Sequence, residues 1–509
     1  MRLHHALLLA AAGLAGAAPL HASTFYVDAV LGHDSNSGTS PAAAWQTLDR
    51  VNAARFHPGD RILFRSGDRW QGQLILSSSG DAGDPIKVDR YGPGPLPHID
   101  GAGKVENTVE LLNVQYLEVR HLEITDHGDE PALRRGVLIA VDNFGTAHHV
   151  IVADLYIHDI NGTNQRKDNG GIVFRTSGQR IPSRFDGLLI ARNIVWKVDR
   201  TAIVAESDEF QRSRWFPSLH VVIRDNFAED IGGDGIVPWA TDGALIEGNV
   251  VLRCNQRADT YNAGIWPWST DNSLFQLNEV AFTRGTFDGE GFDSDFNSRN
   301  TRFLYNYSHD NDGGFMLICT PVRRNTRENY GNTGTVIRNN VSYDDHSRTF
   351  NLSGADQVTV ENNAIYIAPH DRVQVLLVSN WDGWSNRALF RRNFFDSAGL
   401  ASYGHQTARN PDGTYQIAPG WGGANGILFQ DNRYCGRQID APSDRGADSD
   451  PAYCTAHPDW TEPVFDPRHP EQYAAYLREH REWLVRLFTA QFGTPPHLET
   501  PHPYSSGKA

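Results

Sequence analysis

Four carboxylates fall within eight consecutive residues, at Asp288, Glu290, Asp293 and Asp295 in the segment FDGEGFDSD. If this stretch is extended, Asp293 and Asp295 point to the same side with Cα atoms about 6.6 Å apart. Crowded like charges cannot all ionise together, so one proton is held more tightly than usual. A carboxyl that keeps its proton beside one that loses it is the pair that glycosidic cleavage needs: one group protonates the leaving oxygen, the other activates water or attacks the sugar. Three tryptophans precede this segment at Trp239, Trp266 and Trp268. Exposed indoles are apolar platforms on which sugar C–H faces stack. His309 and Asp310 follow in NYSHDNDGG, where the imidazole could assist the acidic pair. Arg323 and Arg324 lie beyond and could clamp a substrate carboxylate. Glu206, Asp234 and Asp310 complete the candidate substrate-binding set. Each feature also has a plainer account. The acidic set offers oxygen ligands that calcium could use, or it is a solvated face. The indoles are core if the in/out phase slips by one residue, and His309 is an ordinary structural histidine in many such contexts.

These residues are positioned by a repeat. About ten times between residues 150 and 435 the chain runs through an alternating apolar stretch that closes on Asn and continues with β-formers, as in LIARNIVWKV, LIEGNVVLRC and VIRNNVSYDD. Asn193, Asn226, Asn249, Asn278, Asn306, Asn340, Asn363, Asn393 and Asn432 mark it, at spacings of 23 to 39 residues. A repeat of this length built from short strands implies a stacked β-solenoid. Equivalent residues of successive coils then lie about 4.8 Å apart, and the Asn residues should form side-chain ladders between coils. A second strand in each coil opens on a small residue and a large apolar one: Gly171-Ile172, Ala202-Ile203, Gly235-Ile236, Gly264-Ile265, Gly291-Phe292 and Gly314-Phe315. With the Ile or Phe pointing inward, Arg175, Glu206, Trp239, Trp266, Trp268, Asp293 and Asp295 point outward in stack order. The expected site is an open groove on one face, with indoles running into carboxylates.

The chain has 509 residues and a formal net charge of −15. That length exceeds what one ordinary core uses, which a solenoid avoids because each coil packs only on its neighbours. The net charge disfavours nucleic acid as a partner. Residues 1–22 read as a secretory signal, with a cationic start, an apolar run and a small-residue end. Secretion or export to the periplasm is expected, with no membrane association in the mature protein. Of four cysteines, Cys435 and Cys454 flank a polar loop and are expected to pair, whereas Cys254 and Cys319 read as buried thiols. No metal-type Cys/His spacing occurs. The expected organisation is an N-terminal cap and first coils over 23–101, a parallel β-helix over 102–436 and a C-terminal loop, helix and tail over 437–509. Strands are predicted at Arg61 to Arg65, Gln73 to Leu76 and Ile86 to Tyr91, with a short capping helix around Thr47 to Ala54. Near the other end Tyr473, Tyr476, Leu477, Leu484, Leu487 and Phe488 share one helical face.

The opening residues resemble a known group. Tyr26-Val27-Asp28, the Asp34–Gly38 turn, Trp45-Gln46-Thr47-Leu48, Pro58-Gly59-Asp60, Ser79-Gly80 with Gly83-Asp84-Pro85-Ile86, and Ile99-Asp100-Gly101 look like the start of secreted right-handed parallel β-helix proteins. These form the pectin-lyase-like superfamily of carbohydrate-active proteins. The resemblance implies an all-β, right-handed parallel β-helix and export. It does not select a reaction, because this fold hosts hydrolases, lyases, epimerases and phage tailspikes. The motifs of polygalacturonases are absent, so no role transfers residue by residue.

The reading favoured by the acidic segment is a glycoside hydrolase acting on a polysaccharide or oligosaccharide as a monomer, with no cofactor required. The first alternative is a polysaccharide lyase, which needs a base, often Lys or Arg, and neutralisation of a uronic acid. Lysine occurs only at 87, 104, 167, 197 and 508, so a Lys base would be Lys167 or Lys197, and an Arg base would be Arg323 or Arg324. The second alternative, a non-catalytic carbohydrate-binding solenoid, has use for the indoles but not for Asp293 and Asp295 together.

Overall fold

A computed structural model describes residues 22–285, 287–320, 331–379, 385–403, 407–409, 415–417, 427–449 and 461–501. Each coil has three faces, and its strands pair in parallel with those of the coils before and after. The first face runs from Thr24–Val27 through Leu245–Glu247 and Leu428–Gln430 to Asp444–Arg445. The second runs from Arg69–Gln71 through Val250–Leu252 to Arg433–Gln438. The third includes Gly170–Ser177, Thr201–Ser207, Glu290–Ser294 and Gly314–Cys319. This is the right-handed parallel β-helix expected from the repeat. The strands Arg61–Arg65 and Ile86–Tyr91 form as predicted, and the one between them begins a residue late, at Leu74–Leu76.

The corner between the first and second faces explains the Asn repeat. The residue before each Asn adopts a left-handed conformation, as at Arg192, Asp225, Leu277, Tyr305 and Asn339. That conformation costs a non-glycine residue roughly 1 kcal/mol or more. The following Asn offsets the cost. Asn278 Nδ2 donates to Ile246 O at 2.9 Å and to Asn306 Oδ1 at 2.9 Å, and Asn278 N donates to the same Oδ1 at 3.1 Å. The same three bonds recur coil after coil from Asn193 to Asn432, so the ladder satisfies the backbone of a buried turn.

Inside the coils, apolar side chains stack in register; Phe275 and Phe303 lie parallel with centroids 4.6 Å apart. A short helix, α1 (Leu48–Asn52), has Thr47 as its N-cap and buries Leu48 and Val51. The C-terminal helix, α2 (Tyr473–Phe492), ends at Gly493 with φ 76°. It lies outside the second face, where Trp483, Leu484, Leu487 and Phe488 pack on Tyr305, Tyr307 and Val341. Tyr473 and Tyr476 pack with Phe465 on Tyr156 and Phe227. The anticipated apolar face is thus the docked one, with Leu477 at its margin and His480 and Trp483 added. Among the described residues no helix is long and apolar enough to cross a membrane. Cys254 and Cys319 are free and buried; Cys454 and most of the signal segment lie outside the described residues, as do Arg323 and Arg324.

Candidate active site

The third face carries the expected outward phase through five coils. Ile172, Ile203, Ile236, Ile265 and Phe292 are in register and fully buried in the interior. Arg175 is in register with Glu206, and Trp239 with Trp268. The next coil departs from expectation. Phe292 pairs with Met316, not Phe315, and Ser294 pairs with Ile318. The coil from Asn306 to Gly314 carries one residue more before its strand than Gly-Phe matching assumes. Leu317 and Cys319 therefore continue the outward columns beyond Asp293 and Asp295.

That shift gives Asp295 a neighbour that the sequence pattern did not single out. Cys319 Sγ donates to Asp295 Oδ1 at 3.0 Å, and the Phe296 backbone N–H donates to the same oxygen at 2.5 Å. Asp293 is 3% exposed and its Oδ1 has no partner. Glu290 is fully buried against Arg348, whose Nε donates to Glu290 Oε1 at 2.8 Å and whose Nη2 donates to the Asp288 carbonyl at 2.9 Å. Asp288 holds a left-handed backbone, φ 60°, beside Asn262. Asp288 and Asp295 are half-buried, whereas Glu290 and Asp293 are sealed in.

The electrostatics follow from this packing. Burial, then the charges of Glu290 and Asp295, push the Asp288 carboxyl up to about 8. Burial also raises Asp295, but the thiol and the backbone N–H hold it to about 6. Asp293 is pushed far above the usual carboxylate range, first by burial and then by Asp295, Asp288 and Glu290. Glu206, one coil before Trp239, is raised to about 7 by burial and by Asp168.

The aromatic groove is roofed rather than open. Trp266 is 5% exposed and packs with Val173, Val204 and Val237 on the outer side of the sheet. Trp239 meets Phe210 edge to face at 5.5 Å, and Trp268 stacks on Phe296 at 4.8 Å. Arg212 anchors the roofing segment: its guanidinium grips Asp271 through two bonds of 2.9 Å and Asn297 Oδ1 at 3.1 Å. The indole N–H groups of Trp239 and Trp268 are buried and have no partner. Because Trp268 stacks on Phe296 and meets Trp239 edge to face, Trp268→Phe is the informative change. It should preserve melting temperature and weaken saccharide binding several-fold, at about 1 kcal/mol for the lost donor. Unchanged affinity in titration calorimetry would remove Trp268 from the binding surface.

Asp234 is not a substrate contact in this arrangement. It is fully buried, accepts from Trp266 Nε1 at 2.9 Å and pairs with Lys167 Nζ at 2.7 Å and Arg200 at 3.2 Å. Lys167, remote in sequence, sits over the Trp266 ring at 4.7 Å and donates to the Tyr261 carbonyl at 3.1 Å. Tyr261 and Phe287 stand beside it, 63% and 75% exposed, with rings 6.2 Å apart. Sequence reasoning named Lys167 only as a possible lyase base and Cys319 only as a buried thiol, and it missed Arg348, Tyr261 and Phe287. The scarcity of lysine was the one signal that drew attention to Lys167.

His309 and Asp310 are separated from these carboxylates. Tyr307–His309 belongs to the second face, and alternation turns His309 toward α2. There its Nδ1 bonds Asp310 at 2.8 Å and its Nε2 faces Glu279 and Glu462. The expectation that His309 assists Asp293 and Asp295 fails because strand and site lie on different faces of the coil.

The raised Asp293 means that the folded chain binds this proton more tightly than the unfolded one. Its contribution is fully present below the unfolded value of about 3.9 and is lost as pH rises through the raised value. Asp293→Asn should therefore melt several degrees higher than the wild type at pH 8, with the gap closing near pH 4. An equal or lower melting temperature at pH 8 in calorimetry would contradict the burial argument.

No family profile matches the chain. It is 27% identical over 477 residues to a lacto-N-biosidase of Bifidobacterium longum subsp. longum, a match spanning 74% of this chain and 29% of that protein. The native GH136 lacto-N-biosidase of Eubacterium ramulus superimposes with a TM-score of 0.61 at 26% identity, covering 68% of this chain and 64% of the other. Its selenomethionine form gives 0.61 at 25%, covering 73% and 67%. The chain thus spans under a third of its curated relative, and in sequence and fold it is similar to carbohydrate-active parallel β-helix proteins.

Proposed function

We propose that the protein is an exported glycoside hydrolase. Asp288 is its general acid, and Asp295 is the ionised carboxylate that attacks the sugar or activates water. The observation that carries this reading is the division of the carboxylates: two are sealed in, and the two half-buried ones differ in proton affinity. Near pH 7 Asp288, at about 8, keeps its proton, and Asp295, at about 6, has lost it. One group can then protonate the glycosidic oxygen while the other acts at the anomeric carbon. Buried Asp293, its proton affinity raised by burial and by its neighbours, and the Arg348-held Glu290 set the field in which the two work. Tyr261 and Phe287 supply the exposed platform for the sugar, and Trp239 and Trp268 offer free indole donors deeper in. The names of the relatives make a lacto-N-bioside the first substrate to test. The signal-like residues 1–22 support export.

Of the candidate bases for the lyase alternative, both lysines are engaged. Lys167 is bound by Asp234, and Lys197 pairs with Asp159 at 2.8 Å. Calcium is not part of the proposal: in the group formed by Asp293, Asp295 and Cys319, a thiol takes the place of the oxygen ligand that calcium prefers.

Product chemistry tests the reading. Incubation with an aryl lacto-N-bioside should release the aryl alcohol and a reducing sugar without new near-ultraviolet absorbance. An unsaturated, absorbing product from a uronic-acid polymer would establish the lyase instead. Binding without turnover on a glycan panel would leave a carbohydrate-binding solenoid.

A further inference from the structure

Beneath α2, on the second face, four ligand-type side chains from separate parts of the chain meet. Glu279 and His309 come from adjacent coils, Glu462 from the segment leading to α2, and His480 from the helix itself. The side chains of Glu279, His309 and His480 are 3%, 4% and 3% exposed, and that of Glu462 is 30% exposed. His309 Nε2 lies 3.4 Å from Glu279 Oε1 and 3.3 Å from Glu462 Oε2. One nitrogen and two carboxylate oxygens thus converge, all within 4.8 Å of one another.

We propose that Glu279, His309 and Glu462 form a binding site for a divalent transition metal of the zinc class, which clips α2 and its leading segment to the solenoid. Two features carry this beyond a set of ion pairs. First, ligands about 2.0–2.1 Å from a tetrahedral zinc stand about 3.3 Å from each other, which is the spacing found around His309 Nε2. Second, the surroundings are those of a ligating histidine: Nδ1 bonds the Asp310 carboxylate at 2.8 Å, which orients the ring and leaves Nε2 to face the centre. His480 Nε2 holds the other oxygen of Glu279 at 2.5 Å and fixes that carboxylate from the helix side. The half-exposed Glu462 gives the ion a path in and leaves a fourth position for water. A site made this way spans three segments, so binding the ion stabilises the docked helix by mass action.

The test uses the full exported chain, stripped with a chelator, dialysed, and titrated with zinc or cobalt(II) salts. The expected result is uptake of one equivalent, with a melting temperature several degrees higher that returns to baseline on adding chelator. Glu462→Gln, at the accessible rim, and His309→Gln should weaken uptake at least ~10-fold, because each removes one of three ligands. Cys319→Ser should leave it unchanged. Native circular dichroism of Glu462→Gln without metal shows that the comparison is made on folded protein. The proposal is overturned if the folded wild type takes up no stoichiometric metal, in which case the cluster is an ion-pair latch. Uptake that survives Glu462→Gln, or that is lost in Cys319→Ser, would overturn it equally by placing the ion elsewhere.

Discussion

Asp295→Asn and Asp288→Asn are each expected to lower turnover by roughly 10²–10⁴-fold, the usual contribution of a positioned acid or base. Asp295 is the stronger case. Its Oδ1 already accepts from the Cys319 thiol and the Phe296 N–H. Those donors stabilise the ionised form and hold the group to about 6 despite its burial. An amide there retains the shape but cannot attack or accept a proton. The wild-type rate should be bell-shaped in pH, rising through about 6 and falling through about 8 as Asp288 loses its proton. Asp288→Asn should abolish the alkaline limb, and a substrate with a good leaving group should recover part of its rate because it needs less protonation. Full activity in both variants would sink the assignment. A profile in Asp288→Asn with the alkaline limb intact would move the acid role to Asp293 or Glu290.

Asn306→Ala is expected to destabilise the fold by about 3 kcal/mol or more. Asn306 is completely buried. Its Oδ1 accepts from Asn278 N at 3.1 Å and Asn278 Nδ2 at 2.9 Å, and its Nδ2 donates to Phe275 O at 3.0 Å and Asn340 Oδ1 at 2.9 Å. Truncation leaves the two Asn278 donors and the Phe275 carbonyl buried without those partners, at roughly 1–3 kcal/mol each. It also removes the bonds that offset the left-handed Tyr305, φ 53°. Urea denaturation should show a clearly lower midpoint at an unchanged slope. An unchanged midpoint for Asn306→Ala would mean that the ladder is decorative.

The fold was readable because a solenoid writes its geometry along the chain. The Asn marks, the inward Ile and Phe positions and the apolar face of the last helix depend on local alternation and nearest-neighbour stacking, and these survive in one dimension. Within the site, the same alternation put Asp293 and Asp295 outward beside the indoles. It could not rank the four carboxylates. Exposure decides which of them meets a substrate, and that depends on the Arg212-anchored roof and on Arg348, which reaches Glu290 from 58 residues away. Nor could alternation show that one extra residue before Met316 brings Cys319 against Asp295. Alternation also gives no hint that Lys167 joins Asp234 across 67 residues. His309 misled for the opposite reason. It is close in sequence to the acidic segment, but the chain turns a corner between them, and a corner in a β-helix sends neighbours to different faces. The sequence by itself determined the coil, its ladders and which strand carries the carboxylates, because those follow from periodicity. Only the tertiary structure decided which groups are paired, buried or left facing the groove, because those depend on loops and on a helix whose contacts lie tens to hundreds of residues apart.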